Sequence, residues 1–523
     1  MRTVQNPQMF FDESNISNIQ LNLNSRDDIP PILMGLQHIH GIPKLREQIF
    51  GELKQLLHYR KNILGETQNE KVSSCRGRPG MEQWKILVLG TLRLGLNADY
   101  DRIHELANQH QTIRQMLGHS SWNDYKYSVQ TIKDNIRLFT PELLDKINKL
   151  VVDEGHSVIA NHASSNVLNQ DNKMSNDSEA EVINEILDEL HGRCDSFVVQ
   201  TNVHFPTDIN LLFDVLCKMI KECKTWAKEH KFQGWRQYRY GIKKLKRLYR
   251  KIQRLKRSNS KNESKKERRD HLIKNVYTQY IDMAKDWLEK SEHILQRVKN
   301  LENITYKTIS LEKYQEYVQT LTNQIYRRVL LGEKIPHQEK IFSIFEPHTE
   351  WISKGKAGVP VELGLRVCIM EDQHRFILHH KVMEQISDEK VTIEMVSKSQ
   401  EKFSQLTMAS FDKSFYSPEN QKELKNILKL SVLPKKGRLS EVDKERESDD
   451  KFKELRKQHS AVESAINALE QHGLDRCPDR GIDGFKRYVS LAVMARNIHR
   501  LGCVIRDQQR EKELRKRGSY KKR

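Results

Sequence analysis

No stretch of this chain approaches the ~18 consecutive apolar residues that a membrane-crossing helix needs, and its first residues lack the pattern of a secretory signal. Cysteine is sparse and never spaced as CxxC. The seven residues, at 75, 194, 217, 223, 368, 477 and 503, are scattered and odd in number. That usage argues against a disulfide framework or structural zinc and for a reducing cytosol. Negative charge is in deficit: 70 Asp and Glu stand against 89 Lys and Arg, a formal charge of +19. A polyanionic partner is expected, nucleic acid above all, because neutralising phosphates releases counterions and binds without reading sequence. No membrane partner is expected. With 37% hydrophobic and 30% charged residues the chain reads as globular but heavily solvated, and 523 residues exceed a single core, so two to four units are expected.

Residues 1–80 read as a polar N-terminal arm with one helix from about Ile42 to Tyr59. The arm closes on Arg76-Gly77-Arg78-Pro79. Arg76 and Arg78 suit a narrow DNA minor groove, or an ordinary basic linker. From Met81 the pattern turns helical. Trp84, Ile86, Leu87, Leu89 and Leu92 fit one buried helix, Ile103, Leu106 and Ala107 a second, and Ile113 and Leu117 a third stopped by Gly118. Leu94 to Asp99 supplies a turn with a helix cap. Residues 81–158 therefore read as an all-α, helix-turn-helix-type DNA-binding region, or as a small helical bundle with no such role. Residues 159–185, rich in Asn, Ser and Asp, read as a polar linker.

Arg193 to His204 reads as a buried strand within segment 186–207, broken by Phe205-Pro206-Thr207-Asp208, with Asp208 as the cap of the next helix. Residues 208–340 then form a long helical insertion. Its stretch 231–270 holds 17 basic and 3 acidic residues. There Ile242, Leu245, Leu248, Ile252 and Leu255 recur at helical steps, so one face packs and the other is cationic. Lys243, Lys244, Lys246, Arg247 and Arg250 are expected to track DNA, with Trp235, Tyr238, Tyr240 and Tyr249 interleaved for stacking on bases. The plainer reading of such a run is a solvated face. Residues 341–505 follow with an antiparallel pair over 359–383 turning at Glu371-Asp372-Gln373-His374, a helix from about Asp388 to Phe403, and a strand Leu406–Phe411 delivering Asp412. Beyond a basic loop whose Lys435 and Lys436 are expected to bind DNA, helices are expected at 453–471 and 484–501. The tail 506–523, with nine basic and three acidic residues, is expected to be disordered.

Three stretches carry chemistry. Asp195 sits in the apolar run Cys194-Asp195-Ser196-Phe197-Val198-Val199, Asp412 ends Ala409-Ser410-Phe411-Asp412, and Glu463 lies in the helix-forming His459-Ser460-Ala461-Val462-Glu463-Ser464. Two strand-borne Asp and one helix-borne Glu can hold divalent ions against a phosphodiester, one ion activating the attacking oxygen and the other stabilising the leaving one. Mg2+, with Mn2+ as a substitute, suits such hard oxygen ligands. Taken singly, an Asp at a strand end is more often a cap. Glu463, among Ala461, Val462, Ala465 and Ile466, is expected on a helix buried on most sides, where an unpaired Glu is costly. His204, His459, Lys413 and Arg456 are expected near substrate phosphate, and Asp208 is the most credible supporting carboxylate.

Without the insertion the order is strand, hairpin, helix, strand, which reads as a mixed α/β RNase H-like core. At His191–Asp208, Ser410–Asn420 and Arg456–Asn467 the chain resembles the DDE transposases of bacterial insertion sequences, most closely the group called the ISNCY family. The resemblance spans most of residues 76–505. It implies that the family's two Asp and one Glu fall on Asp195, Asp412 and Glu463. It also implies Mg2+-dependent nicking of element ends followed by 3′-OH attack on target DNA, with double-stranded terminal repeats and target DNA as partners. A homodimer or higher oligomer on DNA, in a bacterial cytoplasm at the nucleoid, goes with it. The spacing departs from relatives with a late insertion: 217 residues lie from Asp195 to Asp412 and only 51 from Asp412 to Glu463. The alternatives are a non-catalytic, domesticated DNA-binding transposase and a structure-specific RNase H-like nuclease.

Overall fold

The computed structural model describes residues 15–54, 80–120, 122–168, 189–257, 262–300, 305–353 and 360–521. Arg76 and Arg78 lie outside them, as does most of the expected linker. The described N-terminal part is helical: α1 (Ile29–Gly41), α2 (Pro43–Leu53), α3 (Gln83–Gly95), α4 (Tyr100–Gln109), α5 (Gln111–Met116), α6 (Val129–Ile136) and α7 (Pro141–Leu168). The strand β1 (Leu190–Thr201) follows. The helix expected from Ile42 to Tyr59 is present as α2 over Pro43–Leu53, its last five expected residues lying outside the described ones, and α1 precedes it across the Gly41-Ile42-Pro43 break. α1 is an unforeseen helix that buries Ile32, Leu33, Leu36 and Ile39. Its Pro30 and Pro31 fall in the first turn, where the missing amide costs nothing.

Two compact units emerge, one from residues 1–202 with 364–523, the other from 203–363. The second unit contains α8 (Asp208–Glu229), α9 (Tyr238–Arg257), α10 (Glu263–Lys299), α11 (Thr305–Ile325) and the short β2 (Glu350–Ser353). It has a core of its own, centred on Leu212, Leu216, Ile220, Tyr277, Tyr280 and Leu321. Its bounds are wider than the expected insertion of 208–340. Thr207, not Asp208, caps α8, its side chain accepting from the Asn210 amide.

The first unit resumes with β3 (Val361–Glu371), β4 (Ile377–Met383), α12 (Asp388–Lys402), β5 (Leu406–Phe411), α13 (Pro418–Ile427) and β6 (Leu430–Val432). Then come α14 (Glu441–Ser448), α15 (Asp450–His459), α16 (Ala461–Leu469), the two-residue β7 (Arg476–Cys477) and α17 (Gly481–Lys521). Its sheet is mixed, in the order β4-β3-β1-β5-β6. β1 is antiparallel to β3 and parallel to β5, β5 is parallel to β6, and β7 pairs the far end of β1. Helices 81–158, expected as a DNA-binding region in their own right, share one hydrophobic core with this sheet. The edge strand β4 is secured by amide side chains. Asn497 accepts from the Ile377 amide at 2.9 Å and donates to its carbonyl at 2.9 Å, and Asn148 also donates to that carbonyl at 3.2 Å.

Two boundaries differ from expectation for one reason, lateral packing. α7 runs on through the polar residues after Ile159 to Leu168, with Ala160 and Ser164 buried. α17 continues to Lys521 where a disordered tail is expected, Gln508 donating to the Val158 carbonyl of α7 at 3.1 Å. The pair Arg515–Glu511, one helical turn apart, supports it. α1 lies so close to α17 that an added Cβ on Gly502 would stand 1.7 Å from the Pro31 carbonyl oxygen. Gly502→Ala must force these helices apart, and about 2–4 kcal/mol of stability is expected to be lost. A urea melt of the two proteins checks it, and an unchanged midpoint would refute the close crossing.

Candidate functional site

The site forms where β1 and β5 run side by side. Cys194 is in register with Phe411, so the next residues, Asp195 and Asp412, are neighbours on adjacent parallel strands, which lie ~4.8 Å apart. The alternation of the pleat keeps Cys194 and Phe411 in the core and turns both Asp the other way. Asp412 holds the position ahead of a single turn, Lys413–Phe415, yet its side chain makes no capping bond. The commonest structural reason for an Asp at a strand end therefore does not apply. Glu463 arrives from the first turn of α16, whose Val462, Ala465 and Leu469 face the core. Glu463 itself is exposed, correcting the expectation of a mostly buried helix.

Asp195 lies in the field of the other two acids. Burial, followed by the negative charges of Asp412, Asp388 and Glu463, holds the Asp195 carboxyl up at about 6, against the lowering effect of the Ser196 amide, which donates to Oδ1 at 2.7 Å. Neither Asp412 nor Glu463 has a hydrogen-bonding or ion-pairing side chain among the described residues. Like charges held together without a protein cation leave room for a cation from solution. Among the described residues no three His, Cys, Asp or Glu side chains form a ready-made metal cage. Mg2+ does not require one, since it retains waters and takes substrate phosphate oxygens alongside one or two carboxylates.

Asp388, at the start of α12, was not singled out by the sequence, where Ser387-Asp388-Glu389 reads only as a helix N-terminus. Ser196 Oγ donates to its Oδ1 at 2.7 Å, and Arg366 stands 3.7 Å from it. His459 lies beside the acids: its Nδ1 is 3.1 Å from Ser410 Oγ. Burial lowers its pKa, opposed by the charges of Asp412 and Glu463.

Other expected site residues divide. Lys413 and Lys436 are exposed. Lys435 is bound by Asp443, and Arg456 is paired with Glu447 at 3.3 Å, so both cations already have carboxylate partners. Asp208 belongs to the 203–363 unit, where it pairs with Arg328 at 2.8 Å. His204 stands in that unit too, 3.4 Å from Asp214. Asp372 is fully buried in its turn, accepting from the His374 and Phe376 amides and facing His156. On α9, Lys243, Lys244, Lys246, Arg247 and Arg250 are exposed, while Leu245 and Ile252 are buried. One of the aromatics expected to stack on bases serves the core instead: Tyr249 stacks on Phe213 with ring centroids 5.1 Å apart, while Trp235 leans on Trp287 at a tilt of 48°. Tyr240 remains exposed.

No family model, no curated protein and no solved structure matches this chain. The fold and site define a mixed α/β protein with an open sheet and an acidic cluster at the meeting of two parallel strands. No helix among the described residues is long and apolar enough to cross a membrane.

Proposed function

We propose that the chain is a DDE-type DNA transposase that cleaves and joins DNA strands with divalent metal at Asp195, Asp412 and Glu463. The observation that carries this reading is Asp195 in the middle of β1, beside Asp412 just past the end of β5 and within the field of Glu463 on α16, with no protein cation paired to any of them among the described residues. The strand, hairpin, helix, strand order and the mixed directions of β3, β1 and β5 support an RNase H-like core. Asp195 and Asp412 with Glu463 would hold Mg2+, which, when bound, activates the attacking oxygen and stabilises the leaving one. The chain's own residues supply the rest. Asp388 orients Ser196 beside Asp195, His459 buttresses the strand end through Ser410, and the exposed cations of α9 offer a surface for duplex phosphates. Residues 81–158 remain the best candidate for specific end binding.

The test is incubation of the full chain with plasmid bearing the DNA that flanks its own gene, in Mg2+ and again in EDTA. Nicked ends and joined products only in Mg2+ support the transposase. Cutting without joining favours a structure-specific nuclease, and binding with no cutting favours a domesticated DNA-binding protein.

A further inference from the structure

The loop between α8 and α9, residues 230–237, turns through two left-handed positions, Lys231 at φ 55° and Gly234 at φ 97°. It is closed by the Phe232 amide donating to the Ala227 carbonyl at 2.8 Å. It walls a cavity of about 810 Å³ that lies wholly in the 203–363 unit. Such a volume falls within the range of small-ligand sites. Four cations line it, Lys224, Lys228, Lys231 and Arg236, and among the described residues no acidic one does. Lys228 and Lys231 are favoured by the C-terminal end of α8, where the helix dipole is negative. That dipole accounts for neither Arg236, beyond the loop, nor for the aromatic wall.

The wall is formed by Phe232, Trp235 and Tyr238. Trp235 is braced behind by Trp287 with ring centroids 5.5 Å apart, and Phe232 is covered on one side by the Arg297 guanidinium at 3.9 Å. Both rings are therefore set in position by the core of the unit. Tyr238 lies half-buried with the Lys224 ammonium 5.9 Å from its ring centre. Flat rings bordered by uncompensated cations form a surface on which a base stacks while its phosphates are neutralised. Stacked duplex bases present only edges, so an aromatic wall of this kind is of use only to a base outside the helix.

We propose that this cavity holds unpaired nucleotides of single-stranded DNA, base against the aromatic wall and phosphate on the four cations. The inference rests on the DNA reading above and extends it from duplex tracking on α9 to a separate single-strand site. In a strand-exchange reaction, such a site would hold DNA that cleavage or bending has unpaired.

Full-length protein is titrated against fluorescently labelled oligothymidylate of about eight nucleotides and, in parallel, against duplex DNA. Tyr238→Ala and the double change Lys231→Glu with Arg236→Glu should each weaken single-strand binding about tenfold or more. Lys243→Ala with Arg247→Ala should weaken the duplex and spare the single strand. Photocrosslinking of a 5-iodouracil oligomer to the unaltered protein should place the adduct between Lys224 and Tyr238, which keeps the test valid if a variant misfolds. Unchanged single-strand affinity in the pocket variants, or adducts only elsewhere, would overturn the proposal. So would displacement by inorganic phosphate or an acidic phosphopeptide at concentrations as low as the oligomer requires. If single strands bind in the cavity but duplex is never bound or cut, the transposase reading fails and the pocket stands. The reverse result removes the pocket alone.

Discussion

Asp195→Asn is expected to abolish the proposed Mg2+-dependent strand cleavage, by at least about 10³-fold or on the order of 4 kcal/mol of barrier, while duplex binding should stay within about twofold. The amide has the volume of the carboxylate and can still accept from the Ser196 amide at Oδ1, so local structure survives. What disappears is the charge that Asp195 contributes beside Asp412 and Glu463. Because those charges repel one another without metal, the same change should raise the melting temperature of the metal-free protein at neutral pH. Loss of activity together with a gain in stability marks a functional carboxylate, whereas a structural one would lose both. Glu463→Gln should lose cleavage likewise, with little change in stability because Glu463 is exposed. Cleavage by Asp195→Asn at the unaltered rate would sink the site assignment.

Mg2+ should stabilise the protein in a pH-dependent way set by Asp195. Its carboxyl is held near 6 in the folded chain against the ordinary value of 3.8, so between those values the folded state binds a proton that the unfolded state has lost. Stability from this group is therefore greatest below its unfolded value, falls as pH rises towards about 6, and levels off above. A divalent cation replaces that proton. The rise in melting temperature on adding Mg2+ should thus be small near pH 5 and grow to a plateau above about pH 7, with apparent affinity falling up to about tenfold per unit below 6. Burial also raises Glu371, beside Arg193, to about 7, so the metal-free curve carries a second contribution of the same sign. Subtracting the curve of Asp195→Asn isolates the first. An equal Mg2+ increment at pH 5 and 8, or one that persists in Asp195→Asn, would show that the cation binds elsewhere.

The core elements were legible because their patterns are local. The alternating Val361, Leu363, Leu365, Val367 and Ile369 announce β3, and Leu406–Phe411 is a strand at its expected bounds. Ile113 and Leu117 ahead of Gly118 place the end of α5 and its left-handed stop. The tail failed in the opposite way: Arg506 to Arg523 is too charged to read as structured, yet its residues to Lys521 extend α17, supported by contact with α7 and by their own ion pairs. Tyr249 was misassigned for a similar reason. Composition marks it as available for stacking, while only packing shows that Phe213 already occupies a face of its ring.

Residue order alone determined which side chains can do chemistry: an acid in an apolar run, an acid at a strand end and an acid in a helix, because strand and helix periodicity are properties of neighbouring residues. It could not determine that Asp195 and Asp412 stand abreast, which depends on the register between β1 and β5. Nor could it recruit Asp388, 193 residues from Asp195 along the chain, or pair Asp208, only 13 away, with Arg328. Electrostatic partnership falls off with distance through space, and sequence separation does not measure that distance.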